Sequence, residues 1–343
     1  MNERENPIRT TVVVVPRESF NMFPEVVRGV YEKTSPIFKM LVMEGNAPEF
    51  IRKELRALEK AKPNCKIIWS DKFRYPHEFV NQAIKLVDTE YVVFIDNDVE
   101  VDAGWLEALV TCADEEKVGC VHPVYLTVKL NDPTRKIHVA EGRLLRKRMA
   151  NGQILLDSTM PYSGVSLEQY PDRRRKESEF FEWHGVLFRK SLLDKIGPLD
   201  DLNIAEHVDY SLRIRNAGEK ILLEPKSVVA YEYERIFRLD PVSKRYFLYR
   251  WDVGRSSASL DKFRSKWNLH PLSTARRLHW VKEHSNKVRY SLMPYRILNK
   301  VRRMLGMGNL PFSKEPRLHI PEIEQLQKES SVVRREEVGA AAN

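Results

Sequence analysis

Two aspartates with a single residue between them, Asp96 and Asp98, directly follow an apolar run from Tyr91 to Ile95. The run is rich in valine and aromatic side chains, which is typical of a strand covered on both faces in a parallel sheet. Ligands of open α/β sheets bind at the carboxyl ends of such strands. Paired carboxylates supply the hard oxygen ligands that Mg²⁺ and Mn²⁺ prefer, and such an ion can neutralise a diphosphate. The pattern therefore predicts a metal and diphosphate site at this strand end.

The same residues allow a plainer interpretation. Asp and Asn at a strand end also form ordinary turns, because their side chains bond the neighbouring backbone. That alternative stays open from these residues alone. A calcium loop of the EF-hand type is excluded, because Val101 stands where that loop requires glycine.

The elements that must position these aspartates alternate between strand and helix patterns. Strand patterns occur at residues 11–15, 38–43, 65–69, 91–95 and 119–124, and helical patterns at 23–31, 48–61, 79–87 and 105–113. Further strand and helix patterns follow between residues 180 and 231. This alternation predicts an α/β fold with a Rossmann-like, mostly parallel sheet flanked by helices. Residues 126–180 mix basic clusters with Gly, Pro and Ser, which predicts a polar excursion or mobile loop, either a solvated face or a phosphate or acceptor clamp.

Composition narrows the class of protein. The chain has 343 residues, a net charge of +9 and three cysteines without a C-x-x-C pair, so neither a disulfide framework nor a structural zinc site is indicated. No run approaches the roughly 18 apolar residues of a membrane span. The N-terminal residues lack the pattern of a secretory signal, and we expect a cytoplasmic protein. The basic balance favours anionic partners.

The C-terminal third differs from the rest of the chain. We expect a catalytic domain over residues 1–235, a helical, basic and aromatic extension over 236–312, and a polar, disordered tail over 313–343. From Ser285 the extension mixes apolar and basic residues, which is typical of an interfacial amphipathic segment that makes a peripheral contact with anionic membrane. A helical cap or an oligomer contact is the alternative. Nucleic-acid binding is disfavoured because no reader motif accompanies the charge.

Four stretches, read together, resemble the family 2 glycosyltransferases with the GT-A fold, over about residues 10–235. They are Asn81 in the helix before the aspartates, D-N-D-V-E-V-D-A-G-W-L from Asp96, H-G-V-L-F-R-K-S-L-L-D-K-I-G-P-L-D-D from His184, and E-H-V-D-Y-S-L-R-I-R-N-A-G from Glu206. The resemblance implies inverting transfer of a sugar from a nucleotide diphosphate donor, UDP foremost, with Mn²⁺ or Mg²⁺ on the diphosphate. The acceptor it implies is a glycan, a lipid-linked sugar or another cell-envelope precursor, as in polysaccharide biosynthesis.

The resemblance also implies roles for individual residues. Metal ligands are Asp98, Asp96 and Glu232, while the donor contacts are Pro16, Glu44, Asn81, Asp96, Asn97 and Asp98. The catalytic base is Glu206, with Asp209 as runner-up or supporter, since residues three apart share a helix face. Acceptor contacts are Trp183, His184 and His207. Ordinary alternatives are a core position for Trp183 and helix capping for the two acids.

This chain departs from the family pattern in three regions. Glu44 stands where many relatives have an aspartate that reads uracil, and His207 where an acidic residue is common. Tyr231 and Glu232 occupy the region where many relatives place a metal-binding histidine. His207 and Tyr231 keep open a non-catalytic sugar- or nucleotide-binding protein with this fold. A nucleotidyltransferase is less favoured, because V-P-R-E-S-F follows the first strand in place of a glycine-rich phosphate loop.

Overall fold

The computed structural model describes residues 8–35, 37–129, 132–171, 173–232, 239–289, 293–307 and 318–340. It divides into two compact units. The first lies within Met1–Gly142 and Met160–Arg250, and the second within Arg143–Thr159 and Trp251–Asn343. The boundary expected near residue 235 falls among residues 233–238, outside the described part of the chain, and the three-part division stays a prediction.

The strands are β1 (Thr10–Val15), β2 (Lys39–Met43), β3 (Cys65–Ile68), β4 (Tyr91–Asp96), β5 (Val99–Val101), β6 (Cys120–Lys129), β7 (Asp132–Val139), β8 (Arg143–Arg148), β9 (Ile154–Thr159), β10 (Lys176–Ser178), β11 (Val186–Arg189) and β12 (Ile221–Glu232). The helices are α1 (Phe23–Lys33), α2 (Glu49–Ala61), α3 (Pro76–Leu86), α4 (Trp105–Glu115), α5 (Lys190–Ile196), α6 (Glu206–Asn216), α7 (Pro241–Arg250), α8 (Val253–Lys266), α9 (Leu272–Arg289), α10 (Met293–Met304) and α11 (Pro321–Ala340).

The first unit is built on one sheet with the strand order β10-β12-β6-β11-β4-β1-β2-β3, to which β5 and β7 add at β12 and β6. Strands β3, β2, β1 and β4 are mutually parallel, and β6 is parallel to β12. Strand β11 lies between β4 and β6 and runs antiparallel to both. The predicted α/β class with a mostly parallel sheet is therefore confirmed.

Strand β4 is buried along its whole length, as its apolar sequence predicts. Because side chains alternate across a strand, Val93 and Ile95 pack in the same core cluster as Trp105 of α4. Phe94 enters a second cluster with Phe79 of α3. Helices thus cover both faces, and only the strand end, at Asp96, is left to meet a ligand.

Residues 126–180 are more ordered than the sequence pattern predicts. Strand β6 runs on to Lys129, β7 returns antiparallel to it, and β8 pairs with β9. The short strand Lys176–Ser178 pairs with Ile221–Leu223 of β12, far along the chain. A polar three-residue strand carries no pattern of its own, so the predicted loop was wrong here because the pairing is non-local.

The second unit contains the β8–β9 hairpin and helices α8 to α11. Within the segment expected to be a polar tail, Pro321–Ala340 forms α11. Ile320, Ile323 and Leu326 are buried with Leu155 of β9, and their spacing of three residues places them on one side of the helix. None of the helices within the described ranges is both long and apolar enough to cross a bilayer.

Candidate functional site

Asp96 and Asp98 lie at the carboxyl end of β4, where His184 joins them. The antiparallel register pairs Val186 with Phe94, so two residues earlier His184 stands beside Asp96. Ligand atoms of Asp96, Asp98 and His184 all lie within 4.8 Å of one another. We call these three residues the acidic cluster.

One carboxylate oxygen in the acidic cluster, on Asp98, lacks a hydrogen-bond donor among the described residues. Asp98 Oδ1 is buried and accepts no hydrogen bond from any described residue. Burial, and then the neighbouring charge of Asp96, raise the pKa of Asp98 to about 7. Two carboxylates and an imidazole nitrogen are ligands that suit Mn²⁺, and a cation would supply the partner that Asp98 Oδ1 lacks. The residues present therefore fit a divalent cation.

His184 is held in place on two sides. Its Nδ1 lies 2.8 Å from Asp96 Oδ2. Burial lowers the pKa of His184, but the carboxylate of Asp96 close to its ring outweighs burial and raises the pKa above its ordinary value. The ring stacks on Tyr231 at a centroid distance of 4.4 Å, and His138 meets both rings edge-on. Burial lowers the pKa of His138 to about 3, so this neighbour is neutral at pH 7.

These contacts place His184 and Tyr231 beside the acidic cluster. His184, expected to contact the acceptor, lies at the metal candidate. Tyr231, which occupies the region of the family's metal histidine, packs against His184. The predicted ligand Glu232 is the last residue of β12, and its side chain lies outside the described part of the chain.

Arg17, in the loop after β1, links the acidic cluster to Glu206. Its Nε lies 3.5 Å from Asp96 Oδ2, and its Nη1 lies 3.6 Å from Glu206 Oε1. One guanidinium thus reaches both carboxylates. The three side chains are largely buried, so their mutual attraction is only weakly screened by water.

Glu206 is the first residue of α6, where the chain enters the helix through Ala205 with a φ of 64°. Its Oε1 lies 3.5 Å from Nη2 of Arg250, which is 1% exposed. Arg250 also donates from Nη1 to the carbonyl of Asn203, just before the helix. Two arginines therefore hold the Glu206 carboxylate.

The other predicted residues of α6 lie close by. Asp209 is buried one turn after Glu206. His207 is largely buried, and its Nε2 lies 3.6 Å from Glu182 Oε1. The helix therefore presents Glu206 to Arg17, while the role of Asp209 as supporter stays a prediction.

Asn97 fixes the loop that carries Arg17. Its side-chain oxygen accepts from the Arg17 backbone N–H at 2.9 Å, and its amide donates to the Ser19 carbonyl at 2.5 Å. At the start of the same loop, the carbonyl of Pro16 accepts from the Tyr246 hydroxyl at 3.0 Å. Asn97 and Pro16 thus shape the site through the backbone.

Glu44 does not have the free acceptor atoms that uracil recognition would need. It is fully buried and accepts from Arg52 Nε and Nη2 at 2.8 and 2.9 Å. It also accepts from the backbone N–H groups of Asn46 and Ser70, at 2.9 and 3.1 Å, and from that of Ala47. A carboxylate has about four lone-pair sites, and these contacts fill them. Glu44 anchors the turn after β2.

Asn81 and Trp183 also serve the fold. The Asn81 amide donates to the Leu199 carbonyl at 2.9 Å and its oxygen accepts from the Leu199 N–H at 2.7 Å. This pair of bonds ties α3 to the segment after α5 and uses both ends of the amide. Trp183 is 4% exposed and packs edge-on against Phe94 and Phe181, as its core alternative predicts.

Three features of the site were missed by sequence reasoning. Arg17 and Arg250 carry no motif that marks them, and His184 was given another role. Two signals were available: Arg17 follows the first strand predicted for the parallel sheet, and His184 precedes the apolar run Val186–Phe188. Neither signal gives the strand order that brings the residues together.

The fold and the site define an α/β protein with a candidate cation centre at the carboxyl end of its central strand. The chain belongs to glycosyl transferase family 2, whose model matches residues 11–197, more than half of its length. The GT-A fold implied by the sequence resemblance is consistent with this match.

Individual relatives are distant. Polypeptide N-acetylgalactosaminyltransferase 6 of Homo sapiens is 23% identical over 241 residues, covering 66% of this chain and 38% of the relative. The pre-mycofactocin glycosyltransferase of Mycobacterium tuberculosis is 25% identical over 170 residues, covering 49% and 32%. The chain thus spans about a third of the length of these curated relatives.

The fold also occurs among solved structures. The crystal structure of GalNAc-T7 with UDP, GalNAc and Mn²⁺ superposes with a TM-score of 0.54 at 17% identity, covering 79% of this chain and 56% of that one.

Proposed function

We propose that this protein is an inverting, metal-dependent glycosyltransferase that moves a sugar from a nucleotide diphosphate donor to an acceptor hydroxyl. The observation that carries the proposal is the acidic cluster at the end of β4, linked by Arg17 to the carboxylate of Glu206. The cluster supplies ligands for a cation on the donor, and Glu206 supplies a base. Membership of glycosyl transferase family 2 supports the reaction class.

Asp96, Asp98 and His184 would hold the cation, with Glu232 as a further candidate. A bound divalent cation neutralises the negative charge that grows on the departing diphosphate. UDP is the proposed nucleotide, supported by the UDP and Mn²⁺ in GalNAc-T7, which shares the fold. Since Glu44 has its acceptor sites filled, base recognition must come from other groups.

Glu206 is the proposed general base, and Asp209 remains its runner-up or supporter. The acceptor hydroxyl transfers its proton to the Glu206 carboxylate as its oxygen bonds to the anomeric carbon. The bond from that carbon to the diphosphate oxygen breaks in the same step, and the nucleoside diphosphate leaves with the electron pair. A single displacement of this kind inverts the anomeric centre.

Arg17 and Arg250 orient the base. Preorganised charge is effective because no reorientation is needed at the moment of reaction. His207, next to Glu206, stays the proposed acceptor contact. The proposed acceptor is a glycan, a lipid-linked sugar or another cell-envelope precursor.

The test is turnover of a panel of UDP- and GDP-sugars by the full chain with Mn²⁺, Mg²⁺ or EDTA. We expect metal-dependent release of one nucleoside diphosphate, lost in Asp98→Asn and in Glu206→Gln. Asp102→Asn is the matched control, since Asp102 is partly exposed and pairs with Arg135. Product NMR should show the anomeric configuration opposite to that of the donor.

The alternatives give different results. Nucleotide-sugar binding without turnover, unchanged in Glu206→Gln, would identify a non-catalytic binding protein. Release of pyrophosphate from a nucleoside triphosphate would identify a nucleotidyltransferase. Retention of configuration would contradict the single displacement.

A further inference from the structure

Helix α10, in the second unit, exposes apolar side chains along one side. They lie at intervals of four, three and one residues, which places them on one helical face. The members of this apolar stripe are Ile297 (57% exposed), Val301 (44%) and Met304 (78%) of α10, and Leu305 (70%), which follows the helix and donates its backbone N–H to the Val301 carbonyl at 3.0 Å. An exposed row of large apolar side chains marks a binding surface for another apolar phase.

Basic residues border the apolar stripe. Lys300 and Arg302 flank Val301 in sequence, so they project about 100° to either side of it. Residues 284–314 contain seven lysines and arginines and no acidic residue: Lys287, Arg289, Arg296, Lys300, Arg302, Arg303 and Lys314. Whatever binds the stripe must therefore tolerate, or attract, concentrated positive charge.

This charge pattern discriminates between occupants. A second copy of the chain packed stripe to stripe would bring two rows of basic side chains together, and like charges repel. An anionic bilayer offers phosphate groups beside an apolar interior, which matches basic side chains on both flanks of an apolar row. Basic side chains with long stems can keep their charged ends at headgroup level while the helix lies in the interface.

We infer that α10 is a membrane-docking helix, which inserts the apolar stripe among the acyl chains of an anionic bilayer and contacts lipid phosphates with its basic residues. The binding is peripheral, because no helix in the described ranges spans a bilayer. It goes beyond the proposed transferase reaction, since it requires no nucleotide sugar.

The test is flotation of the full chain with vesicles of phosphatidylcholine alone or mixed with an equal amount of phosphatidylglycerol, without nucleotide sugar. We expect binding to the anionic vesicles, weakened when NaCl is raised from about 0.1 M to about 1 M. Ile297→Asn/Val301→Asn should weaken binding about 100-fold, because two apolar side chains no longer insert. Lys300→Gln/Arg303→Gln should weaken it about 25-fold, at about fivefold per basic residue.

Phe50→Asn is the matched control, since Phe50 is an exposed apolar residue on α2 of the first unit. It should bind like the wild type, and thermal unfolding should show all variants folded. Wild-type chain that stays with neither vesicle would overturn the inference, as would an Ile297→Asn/Val301→Asn variant that binds like Phe50→Asn. A dimer that the stripe variant dissociates, without vesicle binding by the wild type, would assign the stripe to a second copy.

Discussion

Glu44 and Asp98 are two acids that follow parallel strands of the same sheet, but their carboxylates differ in how many hydrogen bonds they accept. Glu44 follows β2 and accepts hydrogen bonds from Arg52 and three backbone N–H groups. Asp98 follows β4, and its Oδ1 is buried without a donor among the described residues. The two acids hold similar positions in the sheet, but of the two only Asp98 has a carboxylate oxygen without a hydrogen-bond donor among the described residues.

This difference separates an acid that stabilises the fold from one that is ready for a ligand. A buried carboxylate with all its hydrogen bonds made adds rigidity, whereas one without them costs free energy until a cation arrives. The protein tolerates that cost at Asp98, where function would recover it. Hydrogen-bond satisfaction therefore distinguishes the two acids where residue type and strand position do not.

The largest expected effect is on turnover. Asp98→Asn should lower kcat by about 1,000-fold or more, because charge growing on the diphosphate loses its stabilisation. The unfolding free energy of the metal-free protein should not fall, because the substitution removes an unsatisfied charge. Steady-state kinetics and denaturant titration measure the two quantities. If Asp98→Asn kept its activity but unfolded more easily, Asp98 would stabilise the fold, as proposed for Glu44, and would not bind the cation.

Glu44→Ala should do the opposite. Removing one partner of a buried ion pair leaves Arg52 and three backbone N–H groups without their acceptor, which costs about 3–5 kcal/mol of unfolding free energy. Activity per folded molecule should stay within a few-fold of the wild type. Urea unfolding at a temperature where the variant is still folded gives the free energy. If the unfolding free energy were unchanged and nucleotide binding were lost, Glu44 would be a residue that recognises the donor and not one that stabilises the fold.

The stability of the metal-free protein should also depend on pH through Asp98. In the folded chain Asp98 keeps its proton up to about pH 7, whereas in the unfolded chain it loses it near 3.8. Between these two pH values the folded state therefore binds more protons than the unfolded state. The contribution of Asp98 to the unfolding free energy is fully present below about pH 4 and is lost as the pH rises to 7. The loss should be a few kcal/mol, measured by denaturant titration in EDTA across this range. Asp98→Asn should abolish this component, and an unchanged slope in that variant would contradict the assignment.

A smaller effect is expected at Arg17. Arg17→Lys keeps the charge but cannot reach Asp96 and Glu206 with one planar group, so kcat/KM should fall about tenfold. Circular dichroism and thermal unfolding should match the wild type. Equal kinetics in the two proteins would show that the bridge between the carboxylates is dispensable.

The sequence predicted those parts of the molecule that depend on local pattern. The apolar run of β4 and the acids at its end follow from composition and spacing, and the structure places Glu206 beside that end. His184 and Arg17 could not be assigned, because their positions follow from the antiparallel pairing of β11 with β4 and the parallel pairing of β1 with β4. The hydrogen bonds that Glu44 accepts depend on Arg52 of α2, and no local sequence pattern reveals that Arg52 lies beside Glu44. Non-local pairing likewise decides whether polar segments such as Lys176–Ser178 form strands.

The proposed metal site is tested most directly by calorimetric titration of Mn²⁺ into the metal-free protein in the presence of UDP, comparing the wild type with His184→Asn and Glu44→Gln. We expect one site per chain, with an affinity about 100-fold or more weaker in His184→Asn, since even loss of an outer-shell partner costs about 10- to 100-fold. Glu44→Gln should bind Mn²⁺ like the wild type. Wild-type affinity in His184→Asn would contradict the assignment of Asp96, Asp98 and His184 as the metal site.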